Sequence, residues 1–554
     1  MAVELHKTGV EKLNEAMKVT WWKLDHSVST QQRQQQLQTI YHVDMSASHR
    51  PATTNHIAVL AFPFGSHAPP LLGLVRKFSE AAPHVRFSFL STAKSNASTF
   101  SAWGSNEGDR IKRIDIGDGL PEGYVLGGKQ GDMMELFLEG VAERFKNGME
   151  AAAREMGEGI GCLISDAFYW FVGEMAEEMK VPWVAVWTSG PRPLLTHLDT
   201  DVIREHIKSS GSREKPLDFL PGFSEIQVDD LPEEVITESL DSPFPKFLYK
   251  MGHHLPRATS VLMNCFEEID KDIQSLLNSR LPNYLNVGPL SMLVLMQQPP
   301  SDDHGCLPWL DNHPPNSVVY ISFGGVICPP PHELAALADA LLESGIPFLW
   351  SFRGNAEESL PKGLREMGSG KIVPWAPQVQ VLMHSSVGAF VTHGGWNSVL
   401  ESVGGGVPMI GRPYFGDQRL NVKTAENVWG IGVGLEGGVM TKSGVLKALG
   451  QVLGSEEGKL MREKVGILQA LAHKSTGASS RNFSRFVEIR NGERTVKFSV
   501  SQTLSNMVLD GRAIATCAAI VTMAVLAPSS VVSTVLLISN VVNSISSVLS
   551  IFGL

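Results

Sequence analysis

Short apolar, β-branched runs alternate with helical stretches along most of this chain, and this alternation restricts its fold more than any other feature. Apolar runs at 56–62, 86–91, 161–166, 182–187 and 260–266 predict strands, and the segments between them have helical spacing. The strands are apolar on both faces, which is typical of parallel sheets covered by helices on both sides. The sequence therefore predicts an α/β fold with doubly wound sheets.

A second set of the same kind follows. Strands are predicted at 317–323, 347–352, 371–375 and 388–393, after a stretch from Leu290 to Gly305 that shows no clear period. Because 554 residues are too many for one core, we predict two doubly wound domains whose facing edges form a ligand cleft. The predicted boundaries are a disordered N-terminal extension at 1–55, a first domain at 56–295, a linker at 296–306, a second domain with a C-terminal helix at 307–490, and an apolar tail at 491–554.

Charge and cysteine content exclude several classes of protein. The formal net charge is -10 and no run of Lys and Arg forms a basic patch, which argues against nucleic-acid binding. The five cysteines are scattered and show no zinc-ligand spacing, so neither a disulfide framework nor a zinc site is predicted. A reducing, cytoplasmic location fits best, and we expect a monomer.

The two ends of the chain differ from the rest. Residues 1–50 are polar, lack the apolar core of a signal peptide, and include Met45, which resembles an internal start. The tail from Ala513 to Leu554 carries no charge, and Val531 to Phe552 has the length of a membrane span, diluted by Ser and Asn. The tail is either a membrane anchor or a segment unrelated to the fold, such as a gene model extended past its end, and we favour the second interpretation.

The stretch from Gly388 to Pro408 joins a buried strand to a helix through His393 and two glycines. The glycines allow a sharp turn and a close approach of the backbone to a ligand. The first N–H groups of the helix, from Trp396 to Ser398, form an anion site that suits a diphosphate. The alternative is an ordinary strand–helix turn in which a polar side chain of the first helical turn is only a cap.

Neighbouring residues offer groups for the rest of a nucleotide sugar. Trp375 follows a strand end and presents a flat face to a base. Glu401 lies further along the same helix, where its carboxylate can accept hydrogen bonds from two ribose hydroxyls. Asp417 and Gln418 lie in a turn rich in Pro and Gly, where they can bind sugar hydroxyls.

In the first domain, His67 follows the first predicted strand and Asp166 ends another. A lone histidine is more often structural than catalytic. The carboxyl ends of parallel strands cluster, however, so these two side chains can meet. A histidine oriented by a carboxylate is a general base.

The segment from Trp375 to Gln418 resembles the signature box of plant secondary-metabolite UDP-glycosyltransferases. The similarity extends from about His56 to about Glu488, and "HIAVLAFPFGSHAPPLL", "SDAFYWF" and "RPYFGDQRLN" are most similar to flavonoid and anthocyanidin 3-O-glucosyltransferases. The resemblance implies two facing Rossmann-like domains of the GT-B type, the first binding the acceptor and the second the UDP-sugar. It implies contacts to uracil and ribose from Trp375, Ala376, Gln378 and Glu401, to the diphosphate from His393, Asn397 and Ser398, and to the sugar from Thr188, Trp396, Asp417 and Gln418.

The resemblance also implies a mechanism. His67 deprotonates an acceptor hydroxyl, Asp166 stabilises the imidazolium, and the oxygen displaces UDP with inversion at the anomeric carbon. No metal or separate cofactor is implied, because the helix N-terminus and His393 stabilise the leaving diphosphate. The acidic segment at 228–232 is interpreted as a surface loop rather than a metal motif.

Acceptor contacts are less specific. Phe168 and Phe415 would flank a flat aromatic acceptor, or else pack in the core. Gly65-Ser66 precedes His67 where the family often has Ser-Thr, and Gly325 replaces a Thr or Ser expected near the phosphates. These departures bear on acceptor choice and rate rather than on the class of reaction.

Four hypotheses follow. The first is glucose transfer from UDP-glucose to the 3-OH of a flavonol or anthocyanidin. The second is the same reaction with UDP-galactose, which a terminal Gln such as Gln418 disfavours, or with another phenol. The third is a catalytically weak UDP-sugar-binding protein, tethered to a membrane if the tail is an anchor. The fourth, a nucleotide-dependent oxidoreductase, fails because no GxGxxG follows a strand.

Overall fold

The computed structural model describes residues 54–101, 110–121, 130–210, 216–237, 243–295, 301–325 and 328–490. The extension predicted at 1–55 lies almost entirely outside these ranges, as do the apolar tail, its candidate span and residues 296–300 of the predicted linker. Across the described ranges, no helix combines the length and the apolar character needed to cross a membrane.

The first sheet has seven strands in the order β3-β2-β1-β4-β5-β6-β7, all paired in parallel. Every residue of β1 and of β5 is buried, as expected for strands with helices on both faces. The strands are β1 (His56–Leu60), β2 (Arg86–Thr92), β3 (Ile111–Ile116), β4 (Ile160–Asp166), β5 (Trp183–Trp187), β6 (Ser260–Met263) and β7 (Tyr284–Asn286).

The second sheet has six strands in the order β10-β9-β8-β11-β12-β13, again all parallel. Part of its core is a cluster of its own, in which Phe348 and Trp350 are fully buried, while Tyr320 and Phe390 belong to the cluster that also holds residues of the first sheet. The strands are β8 (Val318–Ser322), β9 (Phe348–Ser351), β10 (Gly370–Val373), β11 (Val387–Thr392), β12 (Met409–Gly411) and β13 (Gly432–Gly434).

Helices connect the strands in both sheets. In the first half of the chain they are α1 (Ala68–Ala81), α2 (Ala93–Ser101), α3 (Gln130–Leu138), α4 (Val141–Met156), α5 (Val172–Met179), α6 (Pro191–Leu198), α7 (Thr200–Ser210), α8 (Glu233–Ile236), α9 (Pro243–His254), α10 (Lys271–Arg280) and α11 (Leu290–Leu295). In the second half they are α12 (Cys306–Leu310), α13 (Pro331–Ser344), α14 (Ala356–Ser359), α15 (Lys362–Arg365), α16 (Gln378–Leu382), α17 (Trp396–Gly405), α18 (Gln418–Lys423), α19 (Lys442–Leu449) and α20 (Glu456–Arg490).

The strand order of each sheet reverses at one point, between β1 and β4 in the first and between β8 and β11 in the second. At such a point the connections leave in opposite directions and open a crevice at the carboxyl ends of the strands, where ligands bind. His67 follows β1 and Asp166 ends β4, while His393 follows β11. The topology therefore places the main candidate residues at the two reversal points.

Helix α20 contacts both halves of the structure. Near its middle, the side chain of Gln469 donates a hydrogen bond to the carbonyl of Gly404, 3.2 Å away. Further on, Ser479 Oγ donates to the carbonyl of Gly288 at 2.6 Å, and the Phe486 ring lies 5.2 Å from that of Phe78 in α1. The final helix thus ties the second sheet to the first.

Every strand predicted from the sequence is present, with its ends shifted by a few residues at most. The α/β architecture with two doubly wound sheets is confirmed. Four strands were not predicted: β3, β7, β12 and β13. The first is an edge strand with alternating exposure and three polar residues, and the other three have only three residues each.

Candidate active site

His67 and Asp166 meet at the reversal point of the first sheet. Asp166 Oδ2 lies 2.7 Å from His67 Nδ1, and the second carboxylate oxygen accepts a hydrogen bond from the backbone N–H of Phe168 at 3.0 Å. The Asp166 side chain is 1% exposed, whereas 21% of the His67 side chain is exposed. Because Nδ1 is engaged by the carboxylate, Nε2 is the nitrogen that can take a proton from a ligand.

The surroundings make His67 more basic than an ordinary histidine. Burial by itself lowers the pKa of His67, but the charge of Asp166, the hydrogen bond to Asp166 and the charge of Asp417 together raise the pKa above 6.5. The same charges stabilise the imidazolium that forms when His67 accepts a proton.

An aromatic wall stands beside this pair. The Phe168 ring centroid lies 4.7 Å from that of His67, and the Phe62 ring lies 5.1 Å away on another side. Phe244 extends the wall at 6.1 Å from Phe168. A base lined by aromatic rings suits a flat, apolar ligand that carries a hydroxyl. Phe415 is 53% exposed, so its ring is open to solvent, and its predicted role beside an acceptor stays a prediction.

The loop after β5 contacts both the base and the second half of the chain. Thr188 Oγ1 lies 3.0 Å from His67 Nδ1. The next residue, Ser189, donates a hydrogen bond to Asp417 Oδ2, which also accepts from Asn421 Nδ2 at 2.9 Å. Burial raises the pKa of Asp417, against the effect of these hydrogen bonds and of the charge of His67. Ser189 was not predicted from the sequence, since a serine in such a loop carries no distinguishing pattern.

The side-chain oxygen of Gln418 is hydrogen-bonded within its own loop. Its Oε1 accepts hydrogen bonds from the backbone N–H groups of Tyr414 at 2.8 Å and Phe415 at 3.3 Å, and the residue is 4% exposed. The amide oxygen is therefore committed to holding the turn, which leaves the amide nitrogen as the group that can donate to a sugar hydroxyl.

The predicted anion site lies at the reversal point of the second sheet. Helix α17 begins after Gly395 without a side-chain cap, so its first N–H groups have no capping partner. His393 packs between Gly324 and Gly395, where added Cβ atoms would lie 3.0 Å and 2.4 Å from the imidazole. Burial lowers the pKa of His393 to about 4, and its Nδ1 is buried with no hydrogen-bond partner among the described residues. Glycine at both positions is required by this close approach.

The first turn of α17 is bound to the first half of the chain. Asn397 Nδ2 donates to the Ser66 carbonyl at 3.2 Å, and Asn397 Oδ1 accepts from Asn264 Nδ2 at 3.1 Å. The indole of Trp396 is 4% exposed and donates from Nε1 to the Asn264 carbonyl at 2.9 Å. The Trp396 side chain is thus used in packing, which leaves its backbone N–H, at the start of α17, as the group that can contribute to the predicted anion site.

Of the residues expected at the nucleoside, Trp375 and Ala376 follow β10, Gln378 begins α16 and Glu401 lies on α17. Trp375 is 37% exposed and Ala376 is 4% exposed. Gln378 Nε2 donates to Glu401 Oε2 at 2.6 Å and to Ser398 Oγ at 3.3 Å. Burial raises the pKa of Glu401 to about 7, and the hydrogen bond from Gln378 opposes this rise. A partly exposed indole and a carboxyl that titrates near neutrality are groups that can bind a base and its ribose.

The interpretation of residues 228–232 as a surface loop is wrong. Val228–Asp230 forms a 3-10 helix, and Asp230 is 3% exposed. Asp230 accepts a hydrogen bond from Arg419 Nε at 3.2 Å, so this segment is joined to the residue that follows Gln418. The acidic pattern alone could not reveal this, because its cationic partner is distant in sequence.

Arg353 lies against Gly325, where the sequence departs from the family pattern. A Cβ at Gly325 would lie 2.6 Å from Arg353 Nη1, so Arg353 occupies the space that a larger residue would need. Among the described residues, no group of three or more His, Cys, Asp and Glu side chains could hold a metal ion, and the described cysteines form no disulfide.

Comparison with known proteins agrees with this geometry. The family model of the UDP-glucoronosyl and UDP-glucosyl transferases matches residues 285–475. A flavonoid 3-O-glucosyltransferase of Medicago truncatula is 51% identical over 444 residues, which cover 78% of this chain and 96% of the relative. An anthocyanidin 3-O-galactosyltransferase of Actinidia chinensis var. chinensis is 48% identical over 446 residues, or 79% and 97% of the two chains. The crystal structure of a UDP-glucose:anthocyanidin 3-O-glucosyltransferase in complex with UDP has a TM-score of 0.74 at 37% identity and covers 80% of this chain and 100% of that one.

Proposed function

The chain belongs to the UDP-glycosyltransferase family, and from this premise we propose that it transfers glucose from UDP-glucose, with inversion, to the 3-OH of a flavonol or anthocyanidin. The observation that carries the proposal is the hydrogen bond between His67 and Asp166, in a crevice lined by Phe168 on one side and Asp417 on another. The names of the relatives supply the acceptor class and the position of the hydroxyl.

In the proposed mechanism, the acceptor lies against Phe168 with its hydroxyl on His67 Nε2. His67 takes the hydroxyl proton as the oxygen attacks the anomeric carbon, and Asp166 stabilises the resulting imidazolium. The bond from the anomeric carbon to the diphosphate oxygen breaks in the same displacement, which inverts the configuration. Asp417 and Gln418 hold the hydroxyls of the transferred sugar.

The donor would bind along α17 and β10. Uracil would stack on the exposed part of Trp375, beside Ala376. Gln378 and Glu401 would hold the ribose, and the N–H groups of Asn397 and Ser398 would face the diphosphate. Negative charge on the leaving UDP is stabilised by the helix N-terminus, with His393 as a neutral hydrogen-bonding neighbour. We propose that this site needs no metal ion, which activity in the presence of EDTA would test. The first half of the chain would then be the acceptor domain, up to about residue 295, and the second half the donor domain.

UDP-galactose is the alternative donor. Galactosyltransferases stand among the relatives at 48% identity, the same as for glucosyltransferases among them.

The cytoplasmic location and the monomeric state of the protein stay predictions.

A product assay tests the proposal. The full chain is incubated with UDP-glucose or UDP-galactose and with a flavonol, an anthocyanidin or a simple phenol, and the products are identified by mass and by NMR of the linkage. A β-3-O-glucoside is the expected product, and His67→Ala is the control that should form none. Release of UDP without glycoside would refute the acceptor assignment, and neither product nor UDP would refute the assignment as an enzyme.

A further inference from the structure

Tyr320 lies beneath the nucleoside end of the candidate site and has no part in the mechanism above. Its side chain is 1% exposed, and its ring stacks on Phe390 of the neighbouring strand β11 with centroids 5.1 Å apart and planes 19° apart. Its hydroxyl lies 3.1 Å from Oε1 of Gln378 and donates to it. A rigid side chain in the sheet therefore holds one end of an amide whose other end faces Glu401.

The two ends of the Gln378 amide differ, so its contacts with Tyr320 and Glu401 each have a defined donor and acceptor. Gln378 has one acceptor end and one donor end, and its Nε2 donates to Glu401 Oε2 at 2.6 Å. Burial raises the pKa of Tyr320, so its hydroxyl keeps its proton and stays a donor. If the amide turned over, its oxygen would face the ionised Glu401 carboxylate, and two acceptors would be in contact without a proton between them. The ionised carboxylate therefore selects the orientation in which Gln378 donates to it, and the Tyr320 hydroxyl supports that orientation by donating to the amide oxygen.

The same contact fixes the carboxylate. Oε2 of Glu401 is engaged by Gln378, which leaves Oε1 and the second lone pair of Oε2 for ribose hydroxyls. Ser398 Oγ, 3.3 Å from Gln378 Nε2, limits the amide from the other side. A carboxylate held in this way loses less rotational freedom when a ligand binds than one that is free to turn.

We propose that Tyr320 is a positioning residue for ribose recognition, acting through Gln378 on the Glu401 carboxylate. This inference rests on the proposed function, in which Glu401 holds the ribose. Because Tyr320 is only 1% exposed, we expect no direct contact between its side chain and the donor. Its loss should therefore weaken binding of nucleotides that carry ribose hydroxyls and leave the chemical step intact.

The chain offers a matched control. Tyr284 in β7 is a buried tyrosine whose hydroxyl donates to a glutamine oxygen, Oε1 of Gln274, at 2.7 Å. Tyr284→Phe removes the same kind of buried hydrogen bond from the other sheet, away from the nucleoside residues. Tyr284→Phe therefore shows how much the loss of such a buried hydrogen bond disturbs the protein when Glu401 is not affected.

The experiment measures the Kd of the full chain for UDP-glucose and for its 2′,3′-dideoxyribose analogue by calorimetry, without acceptor. Tyr320→Phe should weaken UDP-glucose binding roughly threefold to tenfold, the usual worth of one hydrogen bond. Binding of the dideoxy analogue should hardly change, and kcat at saturating UDP-glucose should stay at the wild-type value. Tyr284→Phe should change neither Kd. An equal loss for both nucleotides, or no loss for either, overturns the proposal.

A second variant tests the path through the amide. In a Gln378→Leu background, Tyr320→Phe should cause no further loss of affinity, because the group through which it acts is gone. A further loss of the full size overturns the proposal. Wild-type protein that binds the two nucleotides equally overturns both this proposal and the assignment of Glu401 to the ribose. A ratio of the two Kd values that stays at the wild-type level in Tyr320→Phe overturns this proposal alone.

Discussion

The pKa of Glu401 allows a quantitative test of the proposed nucleoside site. Burial raises the pKa of Glu401 from 4.5 to about 7, against the effect of the hydrogen bond from Gln378. Ribose hydroxyls donate to the ionised carboxylate more strongly than to the neutral acid, so the donor should bind the deprotonated form. Donor binding is therefore expected to release a proton when it takes place near or below pH 7.

The size of the effect follows from the pKa. If only the ionised form binds, the apparent Kd is the intrinsic Kd divided by the ionised fraction. With a pKa of about 7, that fraction is about one tenth at pH 6 and about nine tenths at pH 8, so the Kd should rise about tenfold from pH 8 to pH 6.

As the pH rises, donor binding should strengthen, whereas the free energy of unfolding should decrease. The folded chain holds the Glu401 proton more tightly than the unfolded chain, so stability falls as the pH rises from about 4.5 to about 7. Ionisation at pH 8 costs the fold roughly 3 to 4 kcal/mol, taking about 1.4 kcal/mol for each pH unit between the two pKa values. Glu401→Gln removes this cost, and its Tm should exceed that of the wild type at pH 8, with a smaller difference at pH 5.

The assay is calorimetric titration with UDP-glucose, whose diphosphate has no proton to lose in this range. Two buffers of different ionisation enthalpy count the protons released. Glu401→Gln should bind weakly and with no dependence on pH, while His67→Ala, which removes another group with a raised pKa, should keep the tenfold change. A wild-type Kd that is equal at pH 6 and pH 8 would refute the reasoning, as would a Glu401→Gln variant that retains the change.

The other site residues give shorter tests. His67→Ala should abolish glycoside formation, with the Kd for UDP-glucose unchanged in calorimetry. Asp166→Asn should lower kcat by about two to four orders of magnitude. It should also shift the acid limb of the pH–rate profile to lower pH, because the Asp166 charge raises the pKa of His67. Ser189→Ala should raise the KM for UDP-glucose roughly twofold to tenfold by removing one hydrogen bond to Asp417, with the Kd for UDP alone unchanged. Trp375→Ala should raise the Kd for UDP about tenfold or more through the loss of base stacking, and retained affinity would exclude the stacking role.

Much of the architecture is predictable because a buried parallel strand has a strong local pattern. The runs that became β1, β4, β8 and β11 are short, apolar and flanked by helical spacing, and each appears in the structure. The contact between His67 and Asp166 was expected for a topological reason, since the carboxyl ends of neighbouring parallel strands lie at one edge. The structure supplies the geometry, a hydrogen bond of 2.7 Å.

These local patterns cannot predict contacts between polar residues that are far apart in the sequence. Ser189 follows Thr188 without any periodicity, and its partner Asp417 lies in the other half of the chain. The acidic pair at Asp229 and Asp230 was assigned to the surface because charges are usually exposed. Asp230 is buried together with its partners, because one carboxylate oxygen accepts from Arg419 Nε and the other from the backbone N–H of Gln227. A charge is informative about burial only together with its partner, and the partner is a property of the fold.

The pairing of Asn397 shows why site residues are harder to interpret than strands. Its residue type is consistent with a helix cap, a phosphate contact or a link between the two halves of the chain. In the structure its side chain contacts Ser66 and Asn264, both in the first half, while its helix begins without a side-chain cap. The side chain therefore joins the two halves, and the backbone N–H groups are left for the diphosphate contact that we propose. A sequence motif identifies such a residue without separating these contributions, and only the positions of its atoms assign each one.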